Sequence, residues 1–309
     1  MRAAVVLNST AGADVGQSTT ADQVLACLRA AGLDAELAGR PDNSLPEKFE
    51  AAVASRPDVV VVGGGDGSIA CAAQRLKGQD IPLGIIPLGT MNLMAKDLGL
   101  PLELEGAVSV IAASNIRRID VGVLNGHVFL CKAMVGLPAN IAQLREHGRG
   151  KMNARGWLRL LRHLAVGLNR YPLLSMALLI DGQTKRVRTR AIAVSCNAYD
   201  EGFGRVLRRS HLDRGELVLY IPHGLTLWKL LRLGAGLATG TWQKQEGLES
   251  HPLKELEVLS PRKLLRAMLD GEVRLLETPL RFSVEAGALR VMAPLPIADT
   301  DTPAATEVR

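Results

Sequence analysis

A run of β-branched residues that breaks abruptly into glycines constrains this chain more than any other feature. Residues 58–62 are mostly valine, which is typical of a central strand of a parallel sheet that is buried on both faces. The glycine loop Gly63-Gly64-Gly65-Asp66-Gly67-Ser68 follows, and then a pattern that predicts a helix to about Leu76. Glycines let the backbone approach an anion, and a helix start offers free N–H groups. The segment therefore predicts a phosphate-binding loop, the alternative being a tight strand-to-helix turn.

The glycine loop matches neither of the two common nucleotide-binding motifs. It lacks the lysine of a Walker loop, and Ser68 stands where the dinucleotide fingerprint needs a glycine. Asp66 would repel a bare phosphate, so the loop favours a nucleotide that carries magnesium.

A second loop, from Pro87 to Asn92, follows the next predicted strand at 82–87. In a parallel sheet both loops lie at the carboxyl edge, where ligands bind. Thr90 and Asn92 are short polar residues at a predicted helix start, so they either bind a ligand or cap the helix. The first predicted strand ends at the same edge on Asn8, Ser9 and Thr10.

The first 120 residues alternate strand and helix patterns. We expect strands at 3–7, 34–37, 58–62 and 82–87, and further helices at 19–31, 46–55, 91–98 and 102–114. This alternation predicts an α/β domain with a parallel sheet and helices on both faces.

Beyond Arg118 the pattern predicts a mainly antiparallel β domain with inserted helices. We expect strands at 119–124, 127–135, 174–180, 189–197, 216–221, 255–259, 264–269, 280–285 and 289–292. The predicted hairpin turns are Asn125-Gly126, Asp181-Gly182, Asp270-Gly271 and Ala286-Gly287. The predicted inserted helices are 140–147, 154–169 and 226–238. We predict domains at 1–125 and 126–294, and a disordered polar tail at 295–309.

Composition and motifs indicate a cytoplasmic protein. The apolar run at 3–7 is too short for the core of a signal peptide, and no run of about 18 apolar residues exists. The cysteines lack zinc or redox spacing and are expected to be small buried hydrophobes; they are Cys27, Cys71, Cys131 and Cys196. At 3% aromatic residues, stacking on single-stranded bases is not expected, and we predict no nucleic-acid partner.

The net charge of +6 is concentrated in residues 145–170, which hold seven basic residues and one acidic residue. This basic segment predicts an amphipathic helix in which Arg155, Arg159 and Arg162 share one side and Trp157 lies near the start. Such a helix would lie on an anionic membrane, or would pack on the β domain with its arginines in solvent.

Several motifs in this order resemble the catalytic domain of the diacylglycerol kinase family. The glycine loop is followed about 20 residues later by PLGTMNLMAKDLGLP, and later motifs are RIDVG at 118–122, LDRGEL at 212–217 and LDGE at 269–272. The likeness is strongest to bacterial soluble lipid kinases, which are similar to sphingosine and ceramide kinases. It implies transfer of the γ-phosphate of ATP to a lipid hydroxyl.

The resemblance also implies roles for individual residues. Asp270 would be the general base on the lipid hydroxyl and Glu272 would support it, although an Asp-Gly pair by itself predicts only a hairpin. The implied ATP-binding residues are Asn8, Thr10, Gly63, Gly64, Gly65, Asp66, Gly67, Ser68, Gly89, Thr90 and Asn92.

Two departures from the family pattern concern the expected Mg²⁺. Leu93 and Arg214 stand where many members have aspartate. The remaining candidate metal acids are Asp66, Asp120 and Asp213. The alternatives are a kinase of a soluble substrate related to NAD kinase, and a non-catalytic nucleotide- or lipid-binding relative. The expected partners are the lipid and an inner membrane face, and a homodimer is left open.

Overall fold

A computed structural model describes residues 1–8, 20–137, 173–200, 208–223 and 248–295 of the 309-residue chain. The three expected inserted helices lie outside these residues, as do Thr10, the basic segment and the tail from residue 296 onward. Within the described residues, no helix is long and apolar enough to cross a membrane.

The N-terminal part alternates strands and helices around a parallel sheet. Its elements are β1 (Arg2–Leu7), α1 (Ala21–Ala30), β2 (Asp34–Leu37), α2 (Leu45–Ala54), β3 (Val59–Gly64), α3 (Asp66–Leu76), β4 (Leu83–Pro87), α4 (Leu93–Asp97) and α5 (Leu104–Ala112). The strands run parallel in the order β2-β1-β3-β4, which confirms the predicted α/β class.

Helices cover both faces of these strands because successive side chains of a strand point to opposite sides. On one face Val5 and Val61 pack with α1 and α5, and on the other Val6 and Val62 pack with α2, α3 and α4. Every residue of β3 is therefore buried, which explains its unbroken valine run.

The rest of the described chain is mainly antiparallel β-structure. Its strands are β5 (Ile116–Leu124), β6 (His127–Phe129), β7 (Lys132–Gly136), β8 (Leu174–Ile180), β9 (Gln183–Thr189), β10 (Ala191–Cys196), β11 (Leu217–Pro222), β12 (Leu248–Leu253), β13 (Glu255–Leu259), β14 (Leu264–Leu269), β15 (Glu272–Glu277) and β16 (Leu280–Met292). Six of them form an antiparallel sheet in the order β12-β11-β10-β7-β14-β15. The others extend the parallel strands into a ten-stranded sheet.

Strand β16 carries the ten-stranded sheet across the predicted boundary at residue 125. It runs parallel to β4, where Val291 pairs with Leu83, and antiparallel to β5 and β13. The two sheets then enclose an apolar core in which the rings of Phe129 and Phe282 meet edge to face, with centroids 6.4 Å apart. The division into 1–125 and 126–294 stays a prediction, because a C-terminal strand completes the N-terminal sheet.

The hairpin predicted at Ala286-Gly287 is wrong. Strand β16 is continuous through these residues, and its register on β5 shifts between Glu285 and Leu289. The shift is a β-bulge, which adds residues to one strand and bends it without reversing it. Gly287 has a φ of 59°, and its N–H donates to Oδ1 of Asp120 at 2.8 Å.

The other three predicted hairpin turns are confirmed. They join β5 to β6, β8 to β9 and β14 to β15. Both central residues have positive φ in each turn, as in the turns that match the twist of paired strands.

Two predicted strands are interrupted, and three strands escape prediction. The strand expected at 127–135 divides at Leu130-Cys131 between the ten-stranded and the six-stranded sheet. The strand expected at 189–197 begins at Ala191, because Thr189 ends β9. Strands β9, β12 and β15 lack a clear apolar alternation, so their sequences did not predict them.

Gly122 of β5 tests how tightly the core between the sheets is packed. It pairs with Phe129 of β6, and a Cβ atom at residue 122 would overlap the phenyl ring. We expect Gly122→Ala to lower the free energy of unfolding by about 1–3 kcal/mol because it overpacks the core, as measured by urea denaturation. In a Phe129→Leu background the substitution should cost less. An equal cost in both backgrounds would contradict this packing.

Candidate functional site

The glycine loop turns the chain from β3 into α3, with no room for a side chain at Gly64. Gly64 is the last residue of β3, Gly65 is the N-cap residue, and Asp66 begins α3. A Cβ atom at Gly64 would lie 2.5 Å from Oγ of Ser68. The backbone is therefore accessible at the start of α3, where N–H groups lack intrahelical partners. Such a helix start can bind a phosphate.

The second loop lies directly against the glycine loop. A Cβ atom at Gly89 would lie 2.5 Å from Cα of Gly65. Asn92 has left-handed backbone geometry, and its amide both accepts from the N–H of Gly89 (3.0 Å) and donates to the Gly89 carbonyl (2.7 Å). The Asn92 side chain thus fixes this loop from within, while Thr90 is exposed.

Further contacts join both loops to neighbouring elements. Asp66 Oδ1 accepts from the backbone N–H of Met94 at 3.1 Å, so the glycine loop also fixes the first turn of α4. Asn8 at the end of β1 donates to Oγ of Ser68 at 3.0 Å. Except for Thr10, which lies outside the described residues, the predicted ATP-binding residues thus come from adjacent strand ends at one edge of the sheet.

Asp270 lies in the turn between β14 and β15, and its carboxylate accepts three backbone hydrogen bonds. Oδ1 accepts from Cys131 and Lys132, both at 2.8 Å, and Oδ2 accepts from Leu130 at 2.6 Å. A carboxylate has about four acceptor positions, so one position on Oδ2 remains. Burial raises the pKa of the Asp270 carboxyl above its ordinary value, against the opposing effect of these three N–H groups.

Glu272 brings the Asp-Gly-Glu turn to the glycine loop. Its Oε1 atom lies 3.0 Å from the position that a Cβ atom would take at Gly67. The side chain is exposed and bonds Nη2 of Arg274 at 3.2 Å. The turn that carries both predicted catalytic acids therefore meets the predicted phosphate loop.

The predicted metal acids do not gather into one cluster. Asp120 is buried, and its carboxylate accepts from the N–H groups of Gly215 (2.6 Å) and Gly287 (2.8 Å). Asp213 is exposed in the loop before β11. Within the described residues, no three His, Cys, Asp or Glu side chains could hold a metal ion together. Mg²⁺ often uses one or two carboxylates plus substrate phosphates, and Asp66 of the glycine loop fits that smaller donor set.

A buried ion pair that the sequence did not predict lies beside the Asp270 turn. Arg209 is 1% exposed and donates to Oδ2 of Asp97 through Nε (2.9 Å) and Nη2 (2.6 Å). Asp97 falls within the second family motif, but Arg209 lies in a polar run whose pattern predicts only a loop. Because Asp97 and Arg209 are 112 residues apart, no local sequence pattern predicts that they pair.

The four cysteines have free thiols. The prediction that they are small buried hydrophobes is confirmed for Cys131 and Cys196 and is wrong for Cys27 and Cys71, which are partly exposed. Burial raises the pKa of Cys196 to about 12 and that of Cys131 well above its ordinary value, so both thiols stay protonated at neutral pH.

Two family models match this chain. Residues 2–124 match the diacylglycerol kinase catalytic domain, and residues 133–293 match the YegS C-terminal NAD kinase beta sandwich-like domain. A diacylglycerol kinase of Mycobacterium tuberculosis is 28% identical over 276 residues, which cover 87% of this chain and 88% of that protein. A Pseudomonas aeruginosa protein described as "Probable lipid kinase YegS-like" is 31% identical over 265 residues, which cover 79% of this chain and 80% of that one.

A solved structure supports the same architecture. The crystal structure of a diacylglycerol kinase from Bacillus anthracis superposes with a TM-score of 0.67 at 18% identity, and covers 95% of this chain and 97% of that one. At that identity the likeness concerns the fold.

The contact between the two loops gives a graded test of this geometry. A Cβ atom at Gly89 would lie 2.5 Å from backbone of Gly65, whereas one at Gly65 would lie 3.3 Å from backbone of Gly89. We expect Gly89→Ala to destabilise the fold by about 1–3 kcal/mol through overpacking, and Gly65→Ala to cost less. Thermal unfolding of both variants measures the difference. Equal midpoints would contradict the close approach of the loops.

Proposed function

Because the chain belongs to the family of diacylglycerol kinases and YegS-like lipid kinases, which makes it a phosphotransferase with an alcohol group as acceptor, we propose that it transfers the γ-phosphate of ATP to a lipid hydroxyl. The observation that carries this proposal is the position of the Asp-Gly-Glu turn against the glycine loop. The turn that carries Asp270 thus meets, through Glu272, a loop that can hold phosphate.

The phosphates of ATP are proposed to bind at the start of α3. The backbone N–H groups of Gly65, Asp66 and Gly67 are suited to phosphate oxygens, and the helix dipole favours negative charge there. Neither loop contains a lysine or arginine between residues 63 and 68 or 87 and 92. Asp66, together with phosphate oxygens, would hold Mg²⁺, which neutralises the charge of the phosphates when bound.

Asp270 is proposed to accept the proton of the lipid hydroxyl. Its Oδ2 atom keeps one acceptor position, and three backbone hydrogen bonds hold the carboxylate in place. Because burial raises the pKa of this carboxyl, its anion is a stronger base than that of an exposed aspartate. Glu272 would act as a second negative group on the same turn.

Two other functions are tested by the same experiment. The C-terminal model describes an NAD kinase beta sandwich-like domain, which favours a soluble acceptor as the second candidate. Leu93 and Arg214 remove acids that many family members have, which favours a non-catalytic binding protein as the third.

Phosphate transfer from radiolabelled ATP, with Mg²⁺ and a lipid panel, tests the proposal directly. The panel contains diacylglycerol, a sphingoid base, ceramide and phosphatidylglycerol, with NAD and a sugar phosphate as soluble acceptors. We expect label in the lipid fraction. Label only in the aqueous fraction would favour the soluble substrate, and ATP binding without transfer to any acceptor would favour the non-catalytic protein.

Asp270→Asn should lower the rate of lipid phosphorylation by about 10²–10⁴-fold, because it removes a general base while preserving the shape of the side chain. ATP affinity should be retained. The fall in rate at low pH, where a general base becomes protonated, should disappear in this variant. The matched control is Glu277→Gln, which removes a carboxylate from the other end of β15. A normal rate in Asp270→Asn, or an equal loss in Glu277→Gln, would remove Asp270 as the base.

We further propose, from the sequence alone, that the basic segment 145–170 docks on the anionic membrane face that contains the lipid substrate. Replacing Arg155, Arg159 and Arg162 by glutamine should weaken binding to phosphatidylglycerol vesicles in co-sedimentation and flatten its salt dependence. A matched control removes the same charge from three exposed arginines elsewhere, namely Arg40, Arg186 and Arg188. Equal binding by both triple variants would leave the segment without a docking role.

A further inference from the structure

Arg209 uses its whole guanidinium to join three parts of the fold. Besides Asp97 on α4, it reaches the carbonyl of Leu130 between β6 and β7 and the carbonyl of Cys196 at the end of β10, both from Nη1 at 2.6 Å. Nη2 also lies 3.2 Å from Sγ of Cys131. Arginine presents its donors in a rigid planar fork, so these partners fix one another in space.

The backbone of Leu130 is held from both sides. Its carbonyl accepts from Arg209, and its N–H donates to Oδ2 of Asp270, both at 2.6 Å. The position of the Asp270 carboxylate therefore depends on a short backbone segment that the buried arginine holds in turn. Cys131 is held in the same way, since its N–H donates to Asp270 and its sulfur contacts Arg209.

The same chain of contacts reaches back to the glycine loop. Asp66 accepts from the N–H of Met94 in the first turn of α4, and Asp97 is the last residue of that helix. Polar contacts thus run from Asp66 along α4 to Asp97, on to Arg209 and Leu130, and end at Asp270. They join the proposed phosphate loop to the proposed base through the protein interior.

We propose that Asp97 and Arg209 are positioning residues for phosphoryl transfer, which hold the Asp270 carboxylate in a fixed place relative to the glycine loop through the backbone of Leu130 and Cys131. This inference rests on the proposed role of Asp270. Neither Asp97 nor Arg209 is assigned to touch ATP or the acceptor, since both are buried.

A purely structural role would give a different result. A buried ion pair can contribute little net stability compared with apolar side chains, and removing one partner destabilises a fold. If the pair only stabilised the fold, a variant would unfold more easily while each folded molecule kept its normal rate. A positioning role predicts that kcat falls in the folded molecules, because small misplacements of a reacting group slow a reaction strongly.

The decisive variant is Arg209→Lys, which keeps the charge beside Asp97 and loses the planar fork. We expect kcat for lipid phosphorylation to fall by about 10- to 100-fold, as for a small misplacement of the base. The KM for ATP should stay unchanged, because the glycine loop is intact. Assays are run well below the thermal midpoint of each variant, on full-length protein, so that only folded molecules are counted.

Leu28→Ala serves as the control matched for destabilisation. Leu28 is fully buried on α1, in the core on the side of the sheet that faces α1 and α5. It should lower the thermal midpoint while leaving kcat unchanged. If Arg209→Lys does not fold, Asp97→Asn is the second variant, because its amide oxygen keeps an acceptor for Arg209 at the same size; the same loss of kcat is expected.

Combination with Asp270→Asn separates this inference from the proposed function. If Arg209 acts through Asp270, Arg209→Lys should cause no further loss of rate in the Asp270→Asn background. A normal kcat in Arg209→Lys and Asp97→Asn, with Asp270→Asn inactive, would overturn the positioning role alone. A normal kcat in Asp270→Asn would instead overturn the proposed base, and a full additional loss in the double variant would show that Arg209 acts elsewhere.

Discussion

Three backbone N–H groups that converge on the Asp270 carboxylate are the interaction on which the arrangement of this molecule depends. They belong to Leu130, to Cys131 and to the first residue of β7, where the chain leaves the ten-stranded sheet and enters the six-stranded sheet. A buried N–H group without a partner is costly, so the chain needs an acceptor at this point. The turn between β14 and β15 supplies it, and thereby fixes its own position against the glycine loop. The carboxylate that is proposed as the catalytic base therefore also holds the junction of the two sheets together.

Asp120 does similar work where β5, the β16 bulge and the loop before β11 meet. Its two oxygens accept from Gly287 and Gly215, and its own N–H donates to the carbonyl of Leu212. In both places a carboxylate organises backbone that no regular ladder can satisfy. An acid that matches a family motif can therefore be retained for such contacts, for chemistry, or for both. Loss of activity at Asp120 would not by itself assign a metal to it, whereas Asp270 differs in lying on the turn whose Glu272 side chain meets the glycine loop.

Local patterns predicted most of the α/β part and the positions of both loops in it, because their causes are local. The valine run of β3 reflects burial on both faces, and the Asn-Gly and Asp-Gly pairs reflect turns that need positive φ. What escaped prediction depends on distant partners. The apolar run at 127–135 gives no sign of its break at Leu130, because the acceptor for that break is Asp270, 140 residues away. Gly287 has the signature of a hairpin, but it lies in a bulge in which its N–H bonds Asp120, 167 residues away. Arg209 and Asp97 are unremarkable until the fold buries them together.

The distribution of charge along the chain fits a phosphate site that is built from backbone N–H groups. The proposed phosphate site contains no basic side chain in either loop, and residues 1–144 carry 14 acidic against 11 basic residues. Backbone N–H groups at a helix start attract phosphate at short range only, since the effect of the helix dipole falls off within a turn. Such a site needs exact placement more than it needs charge, and the close contact of Gly65 with Gly89 provides that placement. The buried guanidinium of Arg209 also fixes geometry inside the protein, while the excess of positive charge in the sequence lies in the basic segment 145–170, which is proposed to dock on an anionic membrane.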